Sequence, residues 1–296
     1  MADAGASAAL AWADAAAAEY AATGYAVVRG FLSHAEVARV LGELDDVLRE
    51  KRAGPFSPPA FRALGDARAL EALRSSAARV DVFGAPGVVD TVGHGFHWLP
   101  ASRSFVAAVV TSERAGAVAR RVAGLAEPRV AQTKFVMKPA RAGARVPAHA
   151  DEQYVFTEPA SGVALWIALD AADETNGCVE VLPRSHVEFA PGPRFAVGEP
   201  GGPAVWWRPP VGDGARAGRG APLPQSRAEQ DSLPWVAVRA RPGDLVALHH
   251  ALLHRSAPNS SHAQRRALTA HLVDAACAFS PRNWIPEPEG GFPGCM

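Results

Sequence analysis

Two side chains of the kinds that bind metal ions stand two residues apart in the segment His149-Ala-Asp151. In an extended chain, residues i and i+2 point to the same side, so the imidazole and the carboxylate could reach one ion. The pair alone is weak evidence, because a surface histidine beside a solvated aspartate has the same pattern. The segment predicts a metal site only if further donors come from elsewhere in the chain.

A further donor is His254, which follows an apolar stretch that opens with a turn at residues 242–244. We expect this stretch to be a strand that ends at the histidine. Two histidines and one carboxylate from two strands fit the facial triad of non-haem Fe(II) oxygenases, in which the other positions around the metal stay open. His249 and His250 are alternative donors, although a histidine inside such a strand more often packs or accepts a hydrogen bond.

A guanidinium follows the same region, because Arg265 lies eleven residues after His254. We expect it at the start of a strand over residues 266–273. An arginine suits the binding of a carboxylate through two parallel hydrogen bonds. A zinc hydrolase is an alternative, since two histidines and an aspartate also bind Zn(II), but it would need a general base and a role for Arg265. The chain has no Gly-x-Ser-x-Gly elbow and no P-loop, so serine hydrolase and nucleotide-phosphate chemistry are not supported.

The elements that position these residues belong to a chain of globular composition. The 296 residues are 48% hydrophobic and 20% charged, and thirty basic residues balance thirty acidic ones. This balance argues against nucleic-acid binding through a bulk positive field. No apolar run approaches the roughly 18 residues of a membrane span. The three cysteines have no CxxC spacing, which excludes a disulfide scaffold in practice and favours a reducing compartment.

The N-terminus is rich in alanine and has no basic residue before Arg29, whereas secretory and organellar signals need early positive charge. We therefore expect a cytoplasmic protein. It would act as a monomer on a small-molecule substrate, with neither nucleic acid nor membrane as a partner.

The first part of the chain predicts helices. Residues 25–28 have the character of a short strand, and Ser33 with Glu36 forms a capping-box pattern. Apolar residues at helical spacing then predict a helix over about 34–50. A loop is expected over 52–60, and a second helix over about 102–124.

Short apolar runs separated by Gly, Pro, Asn and Asp replace the helices from Arg129 onward. They are residues 130–137, 163–169, 179–182, 245–248 and 268–273. Strands at this spacing are typical of a β-sandwich or barrel. We expect one domain over residues 1–296, with a helical part up to about 128 and a β core over about 129–280.

An insertion is expected over about 190–234, where Pro and Gly are frequent and periodicity is low. Between residues 191 and 242, seven arginines exceed four acidic residues, and Trp206 and Trp207 lie among them. Such a segment could be a lid over an anionic substrate, since lids keep water from reactive species. An ordinary solvated loop is the alternative.

The order of these motifs resembles the phytanoyl-CoA dioxygenase family of Fe(II)/2-oxoglutarate oxygenases, and within it the branch of phytanoyl-CoA dioxygenase domain-containing proteins. The resemblance begins at about Gly24 and extends to the C-terminus. It is strongest over residues 135–186, 242–274 and 279–285. It implies a mainly β fold with flanking N-terminal helices, in which the core is a double-stranded β-helix of the jelly-roll, cupin-like type.

The resemblance also implies roles for individual residues. The iron ligands that it implies are His149, Asp151 and His254. Arg265 matches the family arginine that binds the distal carboxylate of 2-oxoglutarate. Ser256 matches a serine beside that arginine, and Trp166 matches a tryptophan of the co-substrate pocket.

One departure from the family pattern concerns a lysine that helps to bind 2-oxoglutarate and precedes a Gly-His-x-x-His segment. Here that segment is residues 93–97, and Thr91 occupies the place of the lysine. Lys134 stands where the branch has methionine. We interpret the pair as a cation that has moved to a neighbouring strand, and a surface lysine is the alternative. By strand parity, Lys134 cannot belong to an apolar core unless it is paired.

The implied activity is that of a dioxygenase that uses Fe(II), 2-oxoglutarate and O2, hydroxylates a small organic substrate and releases succinate and CO2. An acyl compound or another anionic molecule is the expected substrate class. The presence of Asp151 favours hydroxylation or desaturation over halogenation, because halogenating relatives lack this carboxylate. A catalytically silent protein of the same fold, which binds metal and 2-oxoglutarate, is the alternative.

Overall fold

The computed structural model describes residues 2–51, 79–85, 88–190, 192–197, 204–207 and 227–296. Within these ranges, a layer of helices covers one face of a large sheet, and a smaller sheet covers the other face. The expected loop over 52–60 lies outside the described residues.

The helices of the described residues are α1 (Ala2–Thr23), α2 (His34–Lys51), α3 (Phe105–Val110), α4 (Glu113–Ala117), α5 (Ser185–Glu188) and α6 (Arg227–Asp231), with single 3-10 turns at Phe96–Trp98 and Asp151–Gln153 and a π-turn at Val118–Val122. The strands are β1 (Tyr25–Val28), β2 (Val80–Ala85), β3 (Val88–His94), β4 (Pro128–Lys138), β5 (Val146–His149), β6 (Thr157–Glu158), β7 (Val163–Ala168), β8 (Val179–Val181), β9 (Arg194–Val197), β10 (Ala204–Trp207), β11 (Val236–Val238), β12 (Leu245–His249), β13 (His254–Ser256), β14 (Arg265–Asp274) and β15 (Ala278–Phe279).

The capping box forms as predicted at the start of α2. The backbone N–H of Ser33 donates to the carboxylate of Glu36 (2.8 Å), and the backbone N–H of Glu36 donates to the Ser33 hydroxyl (3.3 Å). The strand at residues 25–28 also agrees with its prediction. Helix α1 was not predicted, although alanine, the residue with the highest helix propensity, dominates its sequence.

The continuous helix expected over about 102–124 is wrong. The chain instead forms α3, α4 and a π-turn, and serines separate the pieces. Ser104 caps α3 by accepting a hydrogen bond from Ala107 (3.0 Å). Ser112 bonds to the Val109 carbonyl (2.7 Å) and also caps α4. Serine favours such local hydrogen bonds with the backbone, which end one helix and begin the next.

The large sheet has seven strands in the order β1-β12-β7-β14-β4-β3-β2, and the small sheet has four in the order β11-β8-β13-β5. Every pairing between neighbouring strands of the described residues is antiparallel. Strand β7 illustrates the layering, because all six of its residues are buried. Leu165 and Ile167 pack against the helices, whereas Ala164 and Trp166 face the small sheet. Two antiparallel sheets that face each other agree with the predicted jelly roll.

The strand expected to end at His254 is wrong in its bounds. Strand β12 ends at His249, and the chain then turns and leaves the large sheet. Its backbone is held where it crosses, because the Leu253 N–H donates to the Ser185 hydroxyl (2.8 Å) and the Leu253 carbonyl accepts from Leu182 (2.9 Å). His254 is therefore the first residue of β13 in the small sheet.

The described part of the predicted insertion contains a β-hairpin rather than an irregular segment. Strands β9 and β10 pair in antiparallel register, with Phe195 opposite Trp206. The short helix α6 lies at the other end of the insertion. Among the described residues, no helix is both long enough and apolar enough to cross a membrane.

Candidate metal and anion-binding site

The three residues predicted to bind a metal lie together at one end of the two sheets. His149 is the last residue of β5 and His254 is the first of β13, and the pairing of these strands places the two directly opposite each other. Their ring centroids are 4.2 Å apart. Ala150 has extended backbone angles, so Asp151 faces the same side as His149, as predicted. One possible ligand atom of each residue lies within 4.8 Å of the other two.

Hydrogen bonds to the backbone orient both imidazoles. His149 Nδ1 lies 2.9 Å from the carbonyl oxygen of Pro147, and His254 Nδ1 lies 3.0 Å from that of Leu252. A carbonyl only accepts, so each Nδ1 carries the hydrogen and each Nε2 keeps its lone pair. Both Nε2 atoms lie 3.8 Å from Asp151 Oδ1. An imidazole fixed in this way is a typical metal ligand.

The electrostatics of the triad suit a cation. Burial by itself raises the pKa of Asp151, but the imidazoles of His271, His254 and His149 outweigh burial and hold the pKa below its ordinary value. Burial and the neighbouring His254 lower the pKa of His149 to about 3. At neutral pH the site therefore has an ionised Asp151 carboxylate and a neutral His149 imidazole, and together with the His254 ring these are donor types that fit a divalent transition metal.

Arg265, the predicted carboxylate ligand, is 1% exposed at the start of β14 and lines the same cavity as the triad. Among the described residues, its guanidinium makes a single long hydrogen bond, 3.5 Å to the Val136 carbonyl, and Nε has no partner. Burial lowers its pKa to about 10, so it stays charged at neutral pH. A buried cation without a paired carboxylate is costly, and an anionic ligand in the cavity would satisfy it.

Trp166 and Ser256 line the cavity beside Arg265, as the sequence predicts. The Arg265 Cζ atom lies 5.6 Å from the Trp166 ring centroid, within the range of a cation–π contact. Ser256 is 6% exposed on β13, two residues from His254, so strand parity turns both side chains toward the large sheet. The cavity thus has metal-binding groups at one position and a cation beside an aromatic wall at another.

Lys134 also lines this cavity and is not a surface lysine. It lies on β4 opposite Gly93 of β3 and Thr269 of β14. Among the described residues, its ammonium makes no hydrogen bond. Burial lowers the pKa of Lys134, and the carboxylate of Asp151, its main charged neighbour, opposes this effect in part. Thr91 is buried opposite Val136, two residues further along the same strand pair, and its hydroxyl has no partner.

Several histidines outside the triad lie closer to the site than the sequence indicated. His271 on β14 lines the cavity, and His250 lies against it with ring centroids 5.8 Å apart. His94 and His97, the two histidines of the segment over residues 93–97, are 2% and 3% exposed. The sequence signal for His271 is that it is a polar residue within an apolar strand, a pattern that is typical of a buried, hydrogen-bonded histidine. His249 lies away from the triad, against Tyr20 and His186.

The segment after Asp151 supports the triad rather than lining the cavity. The Gln153 side chain accepts from the Ala150 N–H (2.9 Å) and donates to the Pro193 carbonyl (3.1 Å). It therefore ties the ligand-bearing turn to the residues that precede β9. Tyr154 lies between the His149 ring and Trp206 of the hairpin, at centroid distances of 5.8 and 5.9 Å.

Comparison with known families identifies the chain. The family described as Phytanoyl-CoA dioxygenase (PhyH) matches residues 20–267. The protein belongs to this family, and the membership makes it an oxidoreductase.

Relatives from animals and plants support the assignment. Phytanoyl-CoA dioxygenase domain-containing protein 1 of Bos taurus is 29% identical over 293 residues, which cover 91% of this chain and 94% of the relative. The protein of the same name from Mus musculus is 30% identical over 69% of this chain and 65% of its own length. Phytanoyl-CoA dioxygenase of Arabidopsis thaliana is 28% identical over 68% of this chain and 64% of its own.

Solved structures share the fold at lower identity. The carbocyclase SnoK from nogalamycin biosynthesis, described as non-haem and α-ketoglutarate dependent, has a TM-score of 0.63 at 20% identity and covers 95% of both chains. The epimerase SnoN, solved with Fe3+, α-ketoglutarate and nogalamycin RO, has a TM-score of 0.61 at 20% identity, with 97% of this chain and 99% of the other covered. EctD from S. alaskensis, solved with 2-oxoglutarate and 5-hydroxyectoine, has a TM-score of 0.60 at 18% identity, with 95% and 84% covered.

The triad geometry predicts which histidine is needed for metal binding. Replacing His149, Asp151 or His254 with alanine should abolish tight Fe(II) binding, because each change removes one of three protein donors. His249→Ala should retain the metal, since His249 lies in the large sheet away from the triad. Anaerobic titration with Fe(II), followed by metal analysis after desalting, measures this. Loss of metal in His249→Ala together with retention in His254→Ala would contradict the site.

Buried neutral histidines predict that acid destabilises the metal-free protein. Burial is the largest cause of a lowered pKa in each of His94, His97, His149, His250 and His271. The pKa values of these histidines in the folded protein lie below the value of about 6.5 in the unfolded chain. Below about pH 6.5 the unfolded chain therefore binds protons that the folded chain excludes. The free energy of unfolding is at its full value above this pH and decreases as the pH is lowered.

Urea unfolding of the chelator-treated protein between about pH 7 and pH 5 measures this proton uptake. The His97→Leu variant should take up about one proton fewer on unfolding than the wild type, because the pKa of His97 is lowered to about 3. An unchanged dependence on pH in that variant would mean that His97 is already protonated in the folded protein.

Proposed function

We propose that the protein is an Fe(II)- and 2-oxoglutarate-dependent dioxygenase that hydroxylates a small organic substrate. The observation that carries this proposal is the buried, uncompensated guanidinium of Arg265 in the same cavity as the His149–Asp151–His254 triad. A metal site alone would suit several reactions, including zinc hydrolysis. A second site for a carboxylate, in the same cavity, favours a dicarboxylate co-substrate.

The residues that would hold Fe(II) are His149 and His254, through Nε2, and Asp151, through a carboxylate oxygen. When bound there with 2-oxoglutarate and O2, iron would supply the oxidising power for hydroxylation of a C–H bond, with release of succinate and CO2. The protein contributes fixed donors, because backbone carbonyls orient both imidazoles. The carboxylate of Asp151 is kept ionised by its histidine neighbours.

Arg265 would hold the distal carboxylate of 2-oxoglutarate, with the Ser256 hydroxyl beside it. A guanidinium offers two parallel donors to a carboxylate, and burial strengthens these bonds because water does not compete for them. The Trp166 ring next to Arg265 gives the pocket an apolar wall. This wall would exclude water from the co-substrate and direct its other end toward the triad.

The substrate class that we propose is an acyl or other anionic small molecule. Support comes from the family and from the excess of arginines over acidic residues between residues 191 and 242. We propose that residues 1–296 form one domain, in which the hairpin of β9 and β10 lies over the ligand-bearing turn through Trp206 and Tyr154. We also propose that the protein acts as a monomer in the cytoplasm, and the free cysteines support the reducing compartment.

The function is tested by incubating the full chain with Fe(II), 2-oxoglutarate and O2 in the presence of a metabolite library. A true substrate should raise succinate formation above the background and yield a hydroxylated product in equal amount. The His254→Ala variant is the control for metal dependence. Binding of Zn(II) with hydrolysis of a substrate, and no effect of 2-oxoglutarate, would contradict the proposal.

The role of Arg265 predicts a specific loss of co-substrate affinity. Arg265→Ala should raise the KM for 2-oxoglutarate roughly tenfold to several hundredfold, since a hydrogen bond to a charged group contributes about 1.5–3 kcal/mol. Fe(II) affinity should be unchanged. The matched control is Arg266→Ala, because Arg266 is bound to Asp170 (2.8 Å) on the opposite side of the strand. Equal 2-oxoglutarate affinity in Arg265→Ala and wild type would remove this arginine from the site.

The exchange of residues at positions 91 and 134 predicts a coupled effect. If Lys134 replaces the family lysine, Lys134→Met should weaken 2-oxoglutarate binding, and adding Thr91→Lys should restore part of it. The restoration is plausible because Thr91 and Lys134 lie on neighbouring strands, with Thr91 opposite Val136. Calorimetry on the two single variants and the double variant measures the coupling. Independent, additive effects would contradict a shared role.

A further inference from the structure

One oxygen of the Asp151 carboxylate is left without a partner. Oδ1 lies 3.8 Å from Nε2 of both His149 and His254 and therefore faces the centre of the triad. Oδ2 is buried and accepts no hydrogen bond from any described residue. Nδ1 of His271 lies 3.8 Å from this oxygen.

His271 is held firmly where it faces Asp151. It lies in β14 opposite Gln132 of β4 and Ala164 of β7, so its backbone is within a strand that is paired on both sides. The residue is 5% exposed, and within the described part of the chain its Nδ1 also has no hydrogen-bond partner. The ring of His250 lies next to the His271 ring. The His250 ring packs closely on Gly162, since a Cβ atom at position 162 would lie 2.2 Å from its Nδ1.

We infer that His271 is a positioning residue that donates a hydrogen bond from Nδ1 to Oδ2 of Asp151 when the triad binds its metal. The inference rests on the proposed metal site. The gap of 3.8 Å exceeds hydrogen-bond length by about 1 Å, which a small rotation of either side chain would close. Two buried polar atoms that face each other without partners would then satisfy one another.

The consequence concerns how many positions around the metal stay open. A carboxylate can bind a metal ion through one oxygen or through both. A donor on Oδ2 would hold Asp151 in the one-oxygen mode and leave the other positions for the co-substrate and O2. His271 is not a fourth ligand by geometry, because within the described residues the group of mutually close ligand atoms comprises His149, Asp151 and His254.

The test uses two substitutions of nearly equal size. His271→Asn places an amide N–H near the position of Nδ1, whereas His271→Leu fills similar space without a donor. Co(II) binding to the full-length protein, followed anaerobically by calorimetry and by visible absorption, reports affinity and coordination. We expect His271→Leu to weaken Co(II) binding by about 10- to 100-fold, as is usual for the loss of a partner of a metal ligand, and to change the absorption spectrum. His271→Asn should stay close to wild type in both.

His97→Leu is the control, because it removes another buried histidine that does not face Asp151. It should keep the wild-type affinity and spectrum. Wild-type behaviour of His271→Leu would overturn the inference, and so would an equal loss in the asparagine and leucine variants, since the imidazole itself would then be required. If wild type binds no Co(II), the proposed function fails first, which separates the two failures.

A measurement on the wild-type protein avoids any folding defect of the variants. In 15N-histidine-labelled protein loaded with diamagnetic Zn(II), long-range nitrogen–proton NMR correlations identify which nitrogen of His271 carries the hydrogen. We expect hydrogen on Nδ1. A bare Nδ1 with hydrogen on Nε2 would overturn the inference, because that nitrogen could not donate to Asp151.

Discussion

The pairing of β5 with β13 is the interaction on which the arrangement of the site depends. It places His149 directly opposite His254 and brings together residues that are far apart in the sequence. Both strands are short, and β13 is also paired with β8, so the small sheet holds the two rings at a fixed separation. Asp151 needs only the extended Ala150 to join them. A metal site therefore arises from strand register, with no loop that has to fold around an ion.

The site combines this rigid triad with a buried positive charge. Arg265 is almost fully buried, and no carboxylate among the described residues forms a hydrogen bond with it to offset the cost of desolvation. Such a residue reduces the stability of the empty fold, and an anion that enters the cavity recovers the loss. Arg266, its neighbour in sequence, shows the contrast, because it faces the other side of the strand and is bound to Asp170 through the backbone and two side-chain contacts. Strand parity thus separates an arginine that lines the cavity from one that is paired with a carboxylate on the other side of the strand.

Much of this architecture could be predicted from the sequence, and the failures have physical causes. The capping box located α2, and short apolar runs located β7 and β14, because local patterns determine these elements. The break between α3 and α4 was missed because the hydroxyl of Ser112 acts through local hydrogen bonds that apolar periodicity does not reveal. The boundary between β12 and β13 was also missed. A run of apolar residues continues through the crossing, and only tertiary contacts with Ser185 and Leu182 show where the chain changes sheets.

The candidate site was predictable to the extent that its residues are spaced by strand geometry. His149 and Asp151 gave a signal through their i, i+2 spacing, and His254 and Arg265 through their places at the ends of apolar stretches. The family resemblance added Ser256 and Trp166. Lys134 was ambiguous in sequence because parity determined its face but not what lay on that face. His271 carried almost no signal, because its proximity to Asp151 depends on how two sheets pack together.

Strand β14 has an implication for how this enzyme can change over evolutionary time. Arg265, Thr269 and His271 alternate with buried apolar residues, so all three face the small sheet while their neighbours pack against the helices. A shift of this strand by one residue in its register with its neighbours would turn all three away from the cavity at once. The strand is also paired on both sides, which prevents gradual slippage. New substrate specificities are therefore expected to arise from changes in the loops that connect the strands. The cavity residues of β14 are expected to change together or not at all.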